Sequence, residues 1–138
     1  MKYNAALKGK GTTDPAKVSS YRPPRKELVF SLRDFDHTQG QTFSEWQEAK
    51  LLDTFLDKLR EYCKKTLPEA QQARLTIYGS FPPESEFRPP AFIPRDAQWA
   101  SLHIQGKECA AGHLIDNTFY IVFLDRNHEF WPSKLKHT

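Results

Sequence analysis

Residues 98–131, QWASLHIQGKECAAGHLIDNTFYIVFLDRNHEFW, leave this chain little choice of fold. Apolar side chains dominate the run, and two breaks divide it. Gln105-Gly106-Lys107 suits a three-residue hairpin loop, and Asp116-Asn117 tolerates the positive φ angles of a two-residue turn. The spacing predicts three adjoining strands near 98–104, 108–115 and 118–125, then a polar turn and an aromatic cap.

Neighbouring residues of a strand point to opposite faces, so the two turns decide which side chains share one. Pairing across Asp116-Asn117 sets Leu114 beside Phe119, Gly112 beside Ile121 and Ala110 beside Phe123. Pairing across 105–107 adds Ala100, Leu102 and Ile104, which makes this face wholly apolar. The other face carries Trp99, Ser101, His103, Cys109, Ala111, His113, Tyr120, Val122 and Leu124. If helices cover the first face, function belongs on the second.

The cover lies upstream. Thr42 with Glu45, or Ser44 with Gln47, forms a capping box that starts a helix near residue 43, and Leu52, Phe55, Leu56, Leu59, Tyr62 and Cys63 then recur at helical spacing. The expected fold is α+β: a largely antiparallel sheet with a C-terminal three-stranded meander, one face covered by one main helix over about 43–65. Leu28, Phe30 and Leu32 alternate in a further strand before that helix, Pro68 stops it, and RLTIY at 74–78 adds a short strand. Residues 79–97 hold five prolines and fit no regular element. A loop of this length is more often functional than filler, and Phe81, Phe87 and Phe92 are expected to pin it to the body.

The net charge of +3 conceals an asymmetry. Residues 1–26 hold seven Lys or Arg against Asp14 alone, a net of +6, while residues 27–138 hold thirteen basic against sixteen acidic side chains, a net of −3. The chain thus reads as a basic, flexible N-terminal arm (1–26) on a single domain (27–138). Such an arm adds salt-sensitive affinity for phosphates or for an acidic partner. No apolar run approaches the roughly 20 residues that span a bilayer, and MKYNAALKGKG lacks the apolar stretch of a signal peptide. No membrane partner and a cytoplasmic location are therefore expected. Cys63 and Cys109 are too few and too far apart for a disulfide framework and read as core or near-core thiols.

His103, Cys109 and His113 share a predicted face, but their spacing fits no compact ligand motif and supplies no fourth ligand, so no metal or other cofactor is expected. A stronger set is His113, Tyr120 and Lys107 with the segment 125–131. Cleaving RNA through its ribose 2′-hydroxyl requires a base for that proton, an acid for the leaving oxygen and cations for the phosphorane charge. His128, His113 and Tyr120 are the acid–base candidates, and Lys107 and Arg126 the phosphate-binding ones. Trp131, Trp99 and Tyr120 are candidates to stack an unpaired base.

A strand, a helical segment and an antiparallel meander with Trp99 near its start, an apolar strand at 119–124 and His128 followed by Phe130 and Trp131 resemble the RelE/ParE toxin superfamily over about residues 27–131. The strand ECAAGHLI lacks the arginine usual there. The resemblance implies a toxin of a toxin–antitoxin system that cuts mRNA on the ribosome and is neutralised by an antitoxin protein. It implies His128 as catalytic acid or base, Trp131 as the stacking aromatic, and Lys107 and Arg126 near phosphate. The alternative is a noncatalytic binding module of a mobile element, holding a protein partner through the 79–97 loop and the mixed sheet face. The sequence leaves the oligomeric state open.

Overall fold

The computed structural model describes Pro23 and residues 25–132; nearly all of the basic arm lies outside the described residues. In chain order the elements are strand β1 (Val29–Ser31), helices α1 (Phe43–Glu48), α2 (Leu52–Tyr62) and α3 (Leu67–Gln72), and strands β2 (Leu75–Gly79), β3 (Gln98–Gln105), β4 (Glu108–Ile115) and β5 (Thr118–Asp125). They form an α+β domain around a five-stranded sheet of order β1-β5-β4-β3-β2. Successive strands from β2 to β5 pair antiparallel, whereas β1 pairs parallel with β5. The sheet is therefore mixed rather than purely antiparallel: the three helices carry the chain from β1 to β2 at the opposite edge, and the meander β2–β5 returns to lie parallel beside β1.

The single helix expected over 43–65 is two helices. Thr42 and Glu45 close the capping box that opens α1, with Glu45 N donating to Thr42 Oγ1 at 3.1 Å and Thr42 N to Glu45 Oε1 at 2.8 Å. After six helical residues and the cap residue Ala49, the chain turns away at Lys50, whose φ is 61°. Leu51 N donates back to Trp46 O at 2.8 Å and Lys50 N to Gln47 O at 3.0 Å, the paired bonds of a left-handed helix terminus. The apolar periodicity continues through this break and conceals it. The turn lets Trp46 and Phe55 meet edge to face at 5.4 Å, both buried. Pro68 sits in the first turn of α3, where a missing N–H costs nothing.

The helices cover one sheet face. Trp46, Leu51, Phe55 and Tyr62 pack there against Leu102, Ile104, Ala110, Leu114, Phe119, Ile121 and Leu124. The inward stripe of α2 is narrow, running through Leu52, Phe55, Leu59 and Tyr62. Leu56, read from sequence as core, lies outside that stripe and is 55% exposed; Cys63, read as a core thiol, is also exposed. Leu32, the third apolar residue expected of the first strand, falls after β1 ends and is exposed as well. The Tyr62 hydroxyl donates to Ala73 O at 2.9 Å, and burial pushes its pKa up to about 12. No helix among the described residues is long and apolar enough to cross a membrane.

One break in register rearranges the other face. Gly112 pairs with Ile121 but Ala111 pairs with Phe123, so Val122 is an extra residue and β5 bulges there. Past the bulge, parity inverts. Phe123, expected under the helices, lies on the opposite face, and Leu124 takes its place in the helix-covered core. The bulge turns Val122 O and Leu124 O outward, where they accept from Asp36 N at 2.9 Å and Gln41 N at 3.1 Å. The segment after β1 is thereby strapped along the strand edge that β1 is too short to cover. Gly40 and Gly112 both permit close approach: a Cβ would stand 2.3 Å from Leu124 O at Gly40 and 1.9 Å from Tyr120 O at Gly112.

Candidate functional site

The second sheet face falls into three zones. Its centre is sealed by Phe87, Ile93, Trp99, Ala111, Val122, Phe123 and Phe130, with Phe81 and Tyr78 packed against them. The proline-rich loop supplies Phe81 and Phe87 to this plug; Phe92, expected to help pin the loop, is 63% exposed instead. Trp99 is buried, stacked parallel to Phe123 at 6.0 Å and met edge-on by Phe81 at 4.8 Å, which leaves its ring no open face.

At one end of the plug lies an ionic array. Trp99, His113, Tyr120 and Ser31 form one cross-strand row. His113 is 1% exposed; its Nε2 lies 2.9 Å from Asp34 Oδ2 and its ring stacks on Tyr120 at 4.9 Å. Arg33 grips the same carboxylate with Nε at 2.9 Å and Nη2 at 3.1 Å, and its guanidinium lies 4.4 Å from the Tyr120 ring centre. The Arg33 hydrogen bonds, helped by His113, hold the Asp34 carboxyl below its usual range against the cost of burial. Every polar atom of His113 and Asp34 that faces the interior is thus committed to a partner.

At the other end, by the 105–107 hairpin, a half-open cleft of about 440 Å³ is lined by Arg74, Thr76, Tyr78, Ser101, His103, Cys109, His128 and Trp131. Its volume is within the roughly 300–1,000 Å³ of small-ligand sites. Alternation along β2 puts Thr76 and Tyr78 on this face, and β3 contributes Ser101 and His103. The turn after β5 brings in His128, at a φ of 60°, and Trp131. Trp131 stacks on Tyr78 at 5.1 Å and 14°, and the Tyr78 and Ser101 hydroxyls share a 3.1 Å hydrogen bond. Burial raises the Tyr78 pKa, so this phenol stays protonated at neutral pH.

Backbone carbonyls fix both cleft imidazoles. Nε2 of His103 lies 2.9 Å from Gly106 O, and Nδ1 of His128 lies 2.7 Å from Trp131 O. A carbonyl oxygen only accepts, so each bonded nitrogen carries the hydrogen. Neutral His103 therefore presents its lone pair at Nδ1 and His128 at Nε2. Burial lowers the His103 pKa, which favours its neutral, proton-accepting form at pH 7. Arg74, at a φ of 84° just before β2, adds a cation.

No family model, no curated protein and no solved structure matches this chain significantly.

The residues singled out from sequence are divided between the zones. His128 and Trp131 line the cleft, whereas His113 and Tyr120 belong to the array. Cys109 marks the cleft end of β4, and His113 lies four residues further along, about 13 Å at the rise of a strand. Lys107 occupies the exposed hairpin turn beside His103, and Arg126 is exposed at the start of the final turn, its N–H donating to Gln41 Oε1 at 2.6 Å. Arg74 and Tyr78 were not singled out. The polar–apolar alternation of RLTIY was their signal, once that strand is placed beside β3. Among the described residues no group of three His, Cys, Asp or Glu side chains is placed to hold a metal ion.

Proposed function

We propose that this chain is an endoribonuclease, a RelE-like toxin acting on mRNA in the cytoplasm and on the ribosome, whose reacting site is the cleft. One observation carries the reading: two imidazoles with opposite tautomers, an arginine and a stacked aromatic pair line one open cleft. His103 Nδ1 accepts the proton of a ribose 2′-hydroxyl, and the 2′-oxygen attacks the adjoining phosphorus. The bond from phosphorus to the 5′-oxygen breaks, and His128, entering as the imidazolium, returns a proton from Nε2 to that leaving oxygen. The products are a 2′,3′-cyclic phosphate and a 5′-hydroxyl. Arg74 offsets the phosphorane charge, taking the part of the arginine missing from β4, and Trp131 offers its outer surface to an unpaired base. Acid–base help of this kind is worth about 10²–10⁴-fold in rate.

The test is induction of the wild type and of His128→Ala in a bacterial host while new mRNA 5′ ends are mapped. Growth arrest with codon-phased ends, both lost in the variant, supports the reading. Arrest with no new ends, or cuts that persist in His128→Ala, overturns it.

A second reading, a noncatalytic module that holds a protein partner, draws on the exposed Phe92 and on the groove of about 630 Å³ beside it, lined by Phe81, Pro89, Pro90, Ile93, Pro94 and Trp99. It requires that Phe92→Ser abolish the cellular effect while His128→Ala leaves it intact.

A further inference from the structure

Beneath the cleft is a buried carboxylate that the proposed reaction does not use. Asp125, the last residue of β5, is 1% exposed and pairs across the sheet with Cys109. Both of its oxygens are taken by main-chain N–H groups of the following turn: Oδ1 accepts from Glu129 N and Oδ2 from Phe130 N, each at 2.8 Å. His128 lies inside the loop these bonds close. It holds a left-handed conformation that a non-glycine residue adopts only when its surroundings enforce it. Beyond the loop, Phe130 is locked into the aromatic plug and Trp131 accepts the His128 hydrogen bond. Asp125 is thus the polar tie that joins this turn to β5, beside the packing of Phe130 in the plug and of Trp131 on Tyr78.

We propose that Asp125 is the positioning residue of the cleft: by accepting both N–H groups, its carboxylate sets where His128 and Trp131 stand, and a proton on it releases them. A protonated carboxyl keeps one strong acceptor, its carbonyl oxygen, while the hydroxyl oxygen becomes a donor and a poor acceptor, so one of the two N–H bonds is weakened. The ionisable groups around it are Tyr78 of β2, Cys109 of β4, and His128 and Glu129 of its own turn. Burial raises the Asp125 carboxyl above its usual range, and the two N–H bonds and His128 oppose that rise without cancelling it. The release accordingly falls above the pH at which exposed aspartates titrate. The part given to His128 rests on the ribonuclease reading; the placement of the turn does not.

The experiment is an NMR titration of the whole chain, following the amides of Glu129 and Phe130, the Asp125 side-chain carboxyl carbon and the Trp131 indole N–H. All four shift with one midpoint, and in Asp125→Asn the indole signal stays at its low-pH position at every pH. Should that variant not fold, the wild-type titration decides alone. An indole signal that ignores the midpoint shared by the other three probes overturns the proposal. Coupled titration without any RNA cleavage overturns the ribonuclease reading and leaves the positioning role standing.

Discussion

The two ends of the sheet's second face hold histidines in opposite circumstances. His113 is buried, bonded to a carboxylate and covered by the Tyr120 ring. His103 and His128 are part-exposed, each held by a backbone carbonyl at one nitrogen, and both line an open cleft. An ionisable group whose proton has a committed partner and no path to solvent contributes stability. One pinned at a single nitrogen beside open space can exchange protons with a ligand. The same residue type on one face thus stands in two settings, separated by an aromatic plug.

The sharpest way to break the comparison is to remove the plug. Phe123→Ala should cost about 3–5 kcal/mol in chemical denaturation, the usual range for a fully buried Phe. A cost under about 1 kcal/mol would put Phe123 in the solvent and remove the plug from this face. Gly112→Ala follows, at about 3 kcal/mol or more, because its Cβ would strike Tyr120 O and β4 must move away from β5. A neutral result there would mean that the bulge is not where the register places it.

The array itself is tested next. Asp34→Asn should lose about 1.5–3 kcal/mol at neutral pH, the worth of hydrogen bonds to a charged group. Because the Asp34 pKa is depressed in the folded chain, its contribution is fully present above the ordinary carboxylate range and drains away as pH falls through the depressed value. The stability gap between wild type and variant should therefore close on acidification. A gap that widens instead reverses the sign and the assignment. The smallest effect belongs to Leu56→Ala, within about 0.5 kcal/mol, since that side chain is exposed; a loss of 2 kcal/mol or more would put it back in the core.

These contrasts also mark how far the sequence could be read. Turn chemistry at Gln105-Gly106-Lys107 and Asp116-Asn117 placed the ends of β3, β4 and β5 within a residue of where they lie, because local φ requirements set such ends. The capping box at Thr42 and Glu45 was legible for the same reason. Parity held for Phe119 and Ile121 and failed for Phe123 and Leu124, since alternation assumes an unbroken ladder. Gly112, inside a strand, was the available hint of a bulge. The helix break at Lys50 left no trace in the apolar period. In the site, His128 and Trp131 were visible as a polar turn closing an apolar strand. Tyr78 comes from, and Arg74 immediately precedes, a strand whose neighbour and face only the assembled sheet decides, and Asp34 meets His113 across 79 residues of the chain.

The central claim, that the cleft and not the array is the reacting site, is tested most directly by cleavage of mRNA bound to purified ribosomes with purified His103→Ala, His128→Ala and His113→Asn. The account predicts that the first two lose about 10²–10⁴-fold in kcat/KM with an unchanged melting temperature. It predicts that the third melts earlier yet cleaves at the wild-type rate while folded. In the wild type, the rising acid limb of the pH profile should lie below the ordinary histidine range, because burial depresses His103. Normal cleavage by His103→Ala and His128→Ala, with loss confined to folded His113→Asn, would contradict it.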